Sequence, residues 1–404
     1  MNLQHISYAG RMSDLRASDI REILKVTQHP EVISFAGGLP ASELLPAAQL
    51  ADLARDLLLS DGERALQYAP SEGLAMLRQL IADRLQDRCG LGRTADDVLV
   101  VSGSQQALDL TGKVFVDDGD LVLCESPTYL GAINALRAYR PRFVEVPTDD
   151  HGMVPAELES RLEGPDRAKL IYVVPDFQNP SGRRWSVDRR RALAEIAARF
   201  GVPVIEDAPY AELCFDGEAL PPVASFDTEG LVVFLGTFSK ILSPGLRLGW
   251  VVADPEILRR YVLVKQGADL HTSSLTQLLA ARFMLDCDLD GHITRLREVY
   301  RTRRDAMLAA LDAHMPPSVR YTRPAGGLFL WLELPSDLDA RAVLERCLEE
   351  NVAFVPGSAF FTEPGHDNTL RLNFTAMPVD RIAEGIRRLG HVLESVLMST
   401  AAAP

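Results

Sequence analysis

Short apolar runs alternate with helical patterns between residues 98 and 253, and this alternation constrains the fold more than any other feature. Seven runs read as strands: 98–102, 121–124, 142–146, 169–174, 202–206, 231–235 and 248–253. Most are apolar on successive residues, as in strands that are buried on both faces. Helical patterns such as 105–116 and 187–200 separate several of them. The alternation predicts an α/β fold with a seven-stranded, mostly parallel sheet flanked by helices.

The pattern changes near residue 290. A long charged amphipathic helix from His292 to His314 leads into interleaved short strands and helices, and a last helix follows Pro378. This pattern predicts a smaller α+β domain over residues 291–404, after a large domain over residues 46–290. We expect residues 1–45 to form an amino-terminal arm with a mobile helix that packs with the small domain.

Composition narrows the classes of function. The chain has 42 basic and 56 acidic residues, so its formal net charge of −14 argues against binding to nucleic acids or anionic membranes. No apolar run approaches the roughly 18 residues of a membrane span, and no secretory signal is visible at the start. The five cysteines are odd in number and form no CxxC pair, which predicts reduced thiols and a cytoplasmic location. The eight histidines show no ligand spacing, so no metal is expected.

Polar residues follow four of the predicted strands, at the edge where open α/β sheets bind their ligands. After the first strand, Gly103 permits a tight turn and a helix begins at Ser104 and Gln105. The free amide groups of such a helix start bind anions, phosphates especially. By itself the pattern is more typical of an ordinary helix cap.

A second cluster follows the strand at 231–235. Thr237 and Ser239 supply hydroxyl groups, Lys240 supplies an amine, and Arg247 can grip a phosphate with two hydrogen bonds. A lone lysine is usually a solvated amine. A lysine held beside a phosphate site, however, is how enzymes keep pyridoxal phosphate as a Schiff base.

The remaining two clusters carry groups that suit a cofactor ring. Asp207 ends a strand and can face a ring nitrogen, and Tyr210, three residues later, can reach the same ring. Asn179 lies in a turn after another strand and can bind a ring oxygen. Each is a common turn motif alone. Because all four clusters occur at strand ends, a shared ligand site explains them better than chance does.

These residues carry a resemblance to a known family. The sequence resembles a fold-type I, pyridoxal-phosphate-dependent aminotransferase of class I, and within that family the 2-aminoadipate and kynurenine aminotransferase group. The shared motifs are ISFAGGLP (33–40), LQYAP (66–70), GSQQ (103–106), QNPSG (178–182), EDAPY (206–210), TFSK (237–240), KQGADLH (265–271) and NTLRL (368–372). They occur in family order over nearly the whole chain.

The resemblance implies catalytic roles. Lys240 would form the Schiff base with pyridoxal 5′-phosphate and would move a proton between the substrate Cα and the cofactor. Asp207 would keep the pyridine nitrogen protonated, so that the ring accepts electrons. Asn179 and Tyr210 would hydrogen-bond the ring hydroxyl oxygen, and Tyr129 would stack on the ring.

The resemblance also implies binding roles. The phosphate would be held by Ser104, Gln105, Thr237, Ser239 and Arg247. Thr237 stands where the family often has Ser, which keeps the hydroxyl.

Further roles concern the substrate and a second subunit. Tyr68 would reach the phosphate of a neighbouring subunit, so the resemblance implies a homodimer with shared active sites. Arg371 would pair with the substrate α-carboxylate, and Gly38 would line the substrate pocket. Arg21 matches an arginine on a mobile helix that contacts acidic side chains in the 2-aminoadipate enzymes. The alternative for Arg21 is a solvated arginine paired with a nearby acid.

The implied activity is ping-pong transfer of an α-amino group between an L-amino acid and a 2-oxo acid such as 2-oxoglutarate. The expected donors are 2-aminoadipate, glutamate, and leucine or aromatic amino acids. Two alternatives stay open, because a fold does not fix a reaction. One is another enzyme of the same fold, a β-lyase or a decarboxylase. The other is a non-enzymatic sensor domain, against which the family-like residues beginning near residue 18 and the negative charge argue.

Overall fold

The computed structural model describes residues 7–13, 29 and 31–401. Its strands are β1 (Ile33–Ser34), β2 (Val98–Val101), β3 (Leu121–Ser126), β4 (Arg142–Asp149), β5 (Gly152–Met153), β6 (Ala168–Val173), β7 (Val204–Asp207), β8 (Val232–Thr237), β9 (Gly249–Val252), β10 (Arg320–Tyr321), β11 (Phe329–Glu333), β12 (Val352–Ala353), β13 (Val355–Pro356) and β14 (Thr369–Asn373). Its α-helices are α1 (Ala47–Leu66), α2 (Ala75–Cys89), α3 (Ser104–Phe115), α4 (Leu130–Arg137), α5 (Pro155–Leu162), α6 (Val187–Phe200), α7 (Pro255–Gln266), α8 (Ser274–Asp286), α9 (Leu289–His314), α10 (Ala340–Glu349) and α11 (Val379–Ala401). Short 3₁₀ turns occur between them, including Pro244–Leu246.

The large sheet has eight strands in the order β2-β9-β8-β7-β6-β3-β4-β5. All seven predicted strands are in it, so the α/β fold with a mostly parallel sheet is confirmed. The count of seven was one too low, because the two-residue strand β5 pairs antiparallel with the end of β4. So short a strand, with no β-branched residue, gives no apolar run for the sequence to show.

Strand β9 is antiparallel to both of its neighbours, and the β3-β4, β3-β6, β6-β7 and β7-β8 pairs are parallel. The two antiparallel pairings of β9 bring the ends of β2 and β8 to one edge of the sheet, since Gly249 pairs with both Val101 and Thr237. Parallel β7 and β6 end at the same edge. The strand ends that carry the predicted polar residues therefore meet.

Helices cover the sheet, and their ends follow from local sequence. Helix α6 begins after Ser186, whose hydroxyl accepts a hydrogen bond from the Arg189 amide, and it ends at Gly201 in the left-handed conformation (φ 64°). Its buried residues face the sheet, and the strands β2, β7 and β8 are buried along their whole length. Strands buried on both faces explain the continuous apolar runs.

The carboxyl-terminal elements form a separate four-stranded antiparallel sheet, in the order β10-β11-β14-β13. The small α+β domain expected there is present. Strand β1 pairs in parallel with β12, which attaches the segment at residues 33–34 to these elements. The division of the chain at residues 45 and 290 stays a prediction. Within the described residues, no helix is both long enough and apolar enough to cross a membrane.

Candidate active site

A cavity of about 290 Å³ opens at the edge of the large sheet where β2, β6, β7 and β8 end. We call it the sheet-edge pocket. It is lined by Gly38, Ser104, Gln105, Tyr129, Val174, Asn179, Asp207, Pro209, Tyr210, Thr237, Ser239, Lys240, Pro244, Arg247, Phe329 and Arg371. The lining residues come from both sheets and from the segment after β1, so the pocket depends on long-range folding.

One end of the pocket is built to hold an anion. Helix α3 begins at Ser104, directly after Gly103, whose φ of 81° is in the left-handed region that favours glycine. A Cβ atom at Gly103 would lie 2.4 Å from Nη2 of Arg247, so the guanidinium packs directly on this turn. Arg247 itself has a φ of 51°, which is uncommon for a residue with a side chain. The backbone thus holds a positive charge beside a helix start.

Two hydroxyl groups complete this end. Thr237 is the last residue of β8, and its Oγ1 lies 2.9 Å from Oγ of Ser239. The Ser239 amide donates to Thr237 Oγ1 at 3.1 Å, which folds the turn after the strand. The helix start, the two hydroxyls and the arginine form the kind of donor set that binds a phosphate.

Asp207 lies at the base of the pocket, at the end of β7. It is 2% exposed, and its Oδ2 accepts a hydrogen bond from the Tyr172 hydroxyl at 2.9 Å. Its Oδ1 is buried with no hydrogen-bond partner among the described residues. Burial raises the pKa of Asp207 to about 7, against the opposing effect of the Tyr172 hydrogen bond. A buried carboxylate oxygen without a donor is costly unless a ligand supplies one.

Lys240 also lines the pocket and lies in the turn after β8. Its Nζ donates a hydrogen bond to the Gly38 carbonyl oxygen at 2.8 Å. Burial, together with the charges of Arg371 and Arg247, lowers the pKa of Lys240 to about 8. A larger share of the amine is therefore neutral at physiological pH than for a solvated lysine. A neutral amine is the form that attacks a carbonyl or accepts a proton.

Arg371 is a buried cation of the pocket. It lies on β14 and is 2% exposed, and its guanidinium donates to Asn179 Oδ1 and to the Ala36 carbonyl oxygen, each at 2.7 Å. Its Nε has no partner among the described residues. The guanidinium carbon lies 4.3 Å from the centre of the Phe329 ring. Burial lowers the pKa of Arg371 to about 10, so the group stays charged at neutral pH.

Aromatic and amide groups form the walls. Tyr210 is 4% exposed and packs edge-on against Phe329, with ring centres 5.9 Å apart. Burial raises the pKa of Tyr210 above its ordinary value, and its hydrogen bond with Asn179 acts in the opposite direction. Burial also raises the pKa of Tyr129 to about 12. A Cβ atom at Gly38 would lie 3.2 Å from the Phe329 ring, which leaves little room for a larger residue.

The structure thus brings twelve of the fourteen predicted site residues to one pocket; they are Gly38, Ser104, Gln105, Tyr129, Asn179, Asp207, Tyr210, Thr237, Ser239, Lys240, Arg247 and Arg371. Tyr68 does not line it and is 78% exposed on this chain. Arg21 lies outside the described residues. In the described part of the chain, no group of three or more His, Cys, Asp or Glu residues is arranged to hold a metal ion.

Sequence reasoning did not predict Val174, Pro209, Pro244 and Phe329 as lining residues, nor Tyr172 as the partner of Asp207. Tyr172, which binds Asp207, stands within the apolar run of β6, and Phe329, which packs on Arg371, stands within that of β11. Both residues look like core in the sequence. A tyrosine hydroxyl within the apolar part of β6, the strand that borders Asp207's strand, was the available signal for Tyr172.

The pocket fits pyridoxal phosphate by the chemistry of its donors and acceptors. The unpaired Oδ1 of Asp207 suits a protonated ring nitrogen, the cluster at the start of α3 suits a phosphate, and Lys240 suits an aldehyde. Arg371, left free at Nε, suits a carboxylate. The fold and pocket therefore define a class of protein, the pyridoxal-phosphate-dependent enzymes of this α/β fold.

Comparison with known proteins gives the family. The model for "Aminotransferase class I and II" matches residues 30–389, so the chain belongs to that family. It is 46% identical to a 2-aminoadipate transaminase of Thermus thermophilus over 392 residues, covering 96% of each chain. It is 42% identical to aromatic-amino-acid aminotransferase 1 of Thermococcus litoralis over 391 residues, covering 96% of this chain and 94% of the relative.

A solved structure agrees in fold. The α-aminoadipate aminotransferase of Thermus thermophilus, complexed with N-(5′-phosphopyridoxyl)-L-leucine, superposes with a TM-score of 0.90 at 44% identity and covers 97% of this chain and 98% of its own. The predicted resemblance is confirmed, and the chain is a pyridoxal-phosphate-dependent aminotransferase that acts on amino acids and 2-oxo acids. The lyase, decarboxylase and sensor alternatives are not favoured.

Proposed function

We propose that the sheet-edge pocket holds the cofactor in one orientation. Asp207 Oδ1 would accept a hydrogen bond from the protonated ring nitrogen, and Lys240 would bind the cofactor covalently. Tyr129 covers the ring face, and Asn179 and Tyr210 hydrogen-bond the ring hydroxyl oxygen. The observation that carries this assignment is the buried Oδ1 of Asp207, to which no described residue donates and which lies in the pocket where a protonated ring nitrogen would fit.

The phosphate occupies the anion-binding end in this proposal. Its contacts are Ser104, Gln105, Thr237, Ser239 and Arg247. When bound, pyridoxal phosphate carries the amino group and takes up the electron pair released at the substrate Cα.

The side chains of this chain then bind, orient and move protons. Arg371 binds the substrate α-carboxylate, and Gly38 leaves space for the substrate beside Phe329. With the cofactor bound, Lys240 would take the proton from the substrate Cα and deliver it to the cofactor carbon that carries the transferred nitrogen. The lowered pKa of Lys240 suits this exchange near neutral pH.

We infer that the enzyme is a ping-pong transaminase with a broad donor range. The proposed donors are 2-aminoadipate, glutamate, leucine and aromatic amino acids, and the proposed acceptor is 2-oxoglutarate. The names of the relatives, a 2-aminoadipate transaminase and an aromatic-amino-acid aminotransferase, support both kinds of donor. The phosphopyridoxyl-leucine complex of the Thermus enzyme supports leucine.

Arg21 is the proposed contact for acidic side chains. A fixed buried arginine would penalise uncharged donors, because an unpaired buried charge is costly. An arginine that returns to solvent when an uncharged donor binds avoids that cost. Arg21→Ala should therefore raise KM for glutamate and 2-aminoadipate, with a loss in kcat/KM of about ten- to a hundredfold, or roughly 1.5–3 kcal/mol. Leucine and aromatic donors should be spared.

The test is a panel of these donors against 2-oxoglutarate, measured for the wild type, Arg21→Ala and Arg16→Ala. Arg16 is another arginine of the same segment and serves as the matched control. Equal losses for acidic and uncharged donors in Arg21→Ala would contradict the specificity role and leave the aminotransferase assignment intact.

We also propose a homodimer in the cytoplasm. The Tyr68 ring projects 78% exposed from this chain and packs edge-on against His271, with ring centres 5.6 Å apart. A tyrosine held in that position suits a contact to the phosphate in a partner subunit. The five unpaired cysteines suit a reducing compartment. A fully active monomer in sedimentation at assay concentration would contradict the shared site.

A further inference from the structure

An ion pair between the buried Lys265 and the partly buried Asp269 lies outside the sheet-edge pocket. Lys265 is fully buried at the end of α7, and its Nζ donates to Asp269 Oδ1 at 2.6 Å. Neither residue lines the pocket, and neither belongs to the roles assigned above. Both belong to the motif at 265–271, which the activity leaves unexplained.

The pair holds one residue of the anion-binding turn from two sides. The second carboxylate oxygen of Asp269, Oδ2, accepts a hydrogen bond from the Ser102 hydroxyl at 2.9 Å. The Ser102 amide donates to Gln106 Oε1 at 2.7 Å, and that same oxygen lies 3.5 Å from Lys265 Nζ. Ser102 is therefore fixed through both its side chain and its backbone.

Ser102 is the residue from which the phosphate-binding turn starts. Gly103 and Ser104 follow it directly, and its carbonyl oxygen lies 3.5 Å from Nη2 of Arg247. A shift of Ser102 moves the start of α3 and the guanidinium of Arg247 together. The donors that converge on a phosphate must be held to a fraction of an ångström to act together.

The charges of the pair suit a role in positioning neighbouring residues better than a role in stabilising the fold. Burial lowers the pKa of Lys265, while Asp269 opposes that shift. Burial acts to raise the pKa of Asp269, but hydrogen bonds from Lys265, Gln106 and Ser102 hold that pKa below its usual value. An ion pair that is partly removed from water contributes little net stability compared with apolar residues. Its directional hydrogen bonds do fix the geometry of what they contact.

The same segment reaches the second phosphate contact of the proposed function. His271 packs against the ring of Tyr68, and the Ser274 hydroxyl donates to the Gln67 carbonyl oxygen at 2.8 Å. The Thr272 hydroxyl donates to the Val100 carbonyl oxygen of β2 at 3.2 Å. Residues 265–274 thus contact both the anion-binding turn of this chain and the tyrosine that faces a partner.

We propose that Lys265 and Asp269 are positioning residues for the cofactor phosphate, acting through Ser102. This inference rests on the proposed function, because it takes the start of α3 as the phosphate site. Neither residue lines the pocket, so we expect their effect to be confined to ligands that carry the phosphate.

The test compares pyridoxal phosphate with pyridoxal, which lacks the phosphate. Dissociation of each from the full-length enzyme is followed by the loss of its visible absorbance band. For Lys265→Met, and for Ser102→Ala, which removes only the hydroxyl, pyridoxal phosphate should dissociate faster. We expect its dissociation rate to rise about ten- to a hundredfold in Lys265→Met and a few-fold in Ser102→Ala. Pyridoxal dissociation should stay as in the wild type for both.

Two further variants sharpen the test. Lys265→Met combined with Asp269→Leu removes both charges, so a defect caused only by an unpaired buried charge would disappear. A positioning role predicts that the defect persists in this double variant. Lys113→Met is the matched control, because it breaks a surface ion pair with Asp109 on the same helix, α3.

Each other result overturns the inference. Equal acceleration for pyridoxal phosphate and pyridoxal would indicate general damage to the pocket, and unchanged rates in Ser102→Ala and Lys265→Met would show that the turn needs no such support. Recovery of the wild-type dissociation rate in the double variant would show that the defect of Lys265→Met came from an unpaired charge and not from lost positioning. Failure of the wild type to bind pyridoxal phosphate would contradict the proposed function itself.

Discussion

Two groups of buried charges lie near the same edge of the large sheet, and they differ in whether the protein satisfies them. In the sheet-edge pocket, Asp207 Oδ1 and Arg371 Nε have no hydrogen-bond partner among the described residues. Beside the pocket, both oxygens of Asp176 accept from Arg190, at 2.8 and 3.0 Å. The exposed fractions are nearly the same, between 0% and 3% for these four residues. Burial alone therefore does not distinguish the two groups.

The satisfied group is structural. Arg190 also donates to the carbonyl oxygens of Trp185 and Pro175, and Glu206 accepts from the backbone amides of Val223 and Ala224. These bonds hold the loops after β6 and β7 in place. The pocket group faces a cavity instead, so its unmet hydrogen bonds are available to a cofactor and a substrate. Buried atoms without a partner in the described part of the chain also occur away from the pocket, for example on Arg93, Trp250 and His292. An unmet hydrogen bond therefore points to a ligand site only where it lies in a cavity beside other polar groups, as for Asp207 and Arg371.

The largest effect that tests this comparison concerns two lysines, Lys240 of the pocket and Lys265 outside it. Lys240→Met should lower turnover by about 10⁴-fold, because the nucleophile and the proton carrier are lost together. Its visible cofactor band should no longer respond to an added amino acid. Lys265→Met should retain far more turnover at saturating cofactor. Sustained turnover by Lys240→Met would show that the central assignment is wrong.

The same two variants should move stability in opposite directions in cofactor-free protein. The pKa of Lys240 is lowered from 10.5 to about 8, so at pH 7 the folded state carries a charge that burial disfavours. Lys240→Met should raise the free energy of unfolding at pH 7 by about 1–3 kcal/mol. The gain should shrink as the pH rises from 8 towards 10.5, where the wild-type amine loses its proton in the folded state first. Lys265→Met should instead lower the free energy of unfolding. Denaturant titration of both variants measures the two changes.

The next effect compares the two buried aspartates. Asp207→Asn keeps the shape but loses the charge that stabilises a protonated ring nitrogen, so turnover should fall by about 10²–10³-fold. Cofactor affinity should fall much less. Asp176→Asn is the control, and it should reduce stability more than turnover, because it weakens the contact with Arg190. Near-normal turnover in Asp207→Asn would remove that residue from the mechanism.

The smallest effect compares the two buried arginines. Arg371→Met should reduce kcat/KM by about ten- to a hundredfold, or roughly 1.5–3 kcal/mol, through loss of the carboxylate contact. Arg190→Met should instead lower the free energy of unfolding by about 3–5 kcal/mol, because it leaves Asp176 without its main partner. Steady-state kinetics and denaturant titration on both variants give the two readouts. Equal kinetic losses would abolish the distinction between the groups.

Much of this organisation could be predicted from the sequence. Strands buried on both faces leave continuous apolar runs, and polar residues that follow such runs must lie at a strand end. That reasoning applied to Asp207, Asn179 and the turn at Thr237. Their specific roles came from resemblance to the family, because a turn motif does not identify its ligand.

Other parts could not be predicted, for physical reasons. Tyr172 and Phe329 sit inside apolar strands, and only the packing of neighbouring strands determines that they contact Asp207 and Arg371. Arg190 lies on helix α6, and its partner is 14 residues away in the chain. The distinction between a satisfied and an unsatisfied charge depends on such long-range contacts, which no local pattern records.

The most direct test of the central claim is a single half-reaction. The purified enzyme with bound cofactor is mixed with glutamate alone, and the visible absorbance band is followed. We predict that one equivalent of cofactor is converted to its amine form, that one equivalent of 2-oxoglutarate appears, and that added 2-oxoglutarate restores the band. Continuous release of ammonia or carbon dioxide from the amino acid, or a band that glutamate and the other proposed donors leave unchanged, would contradict the account.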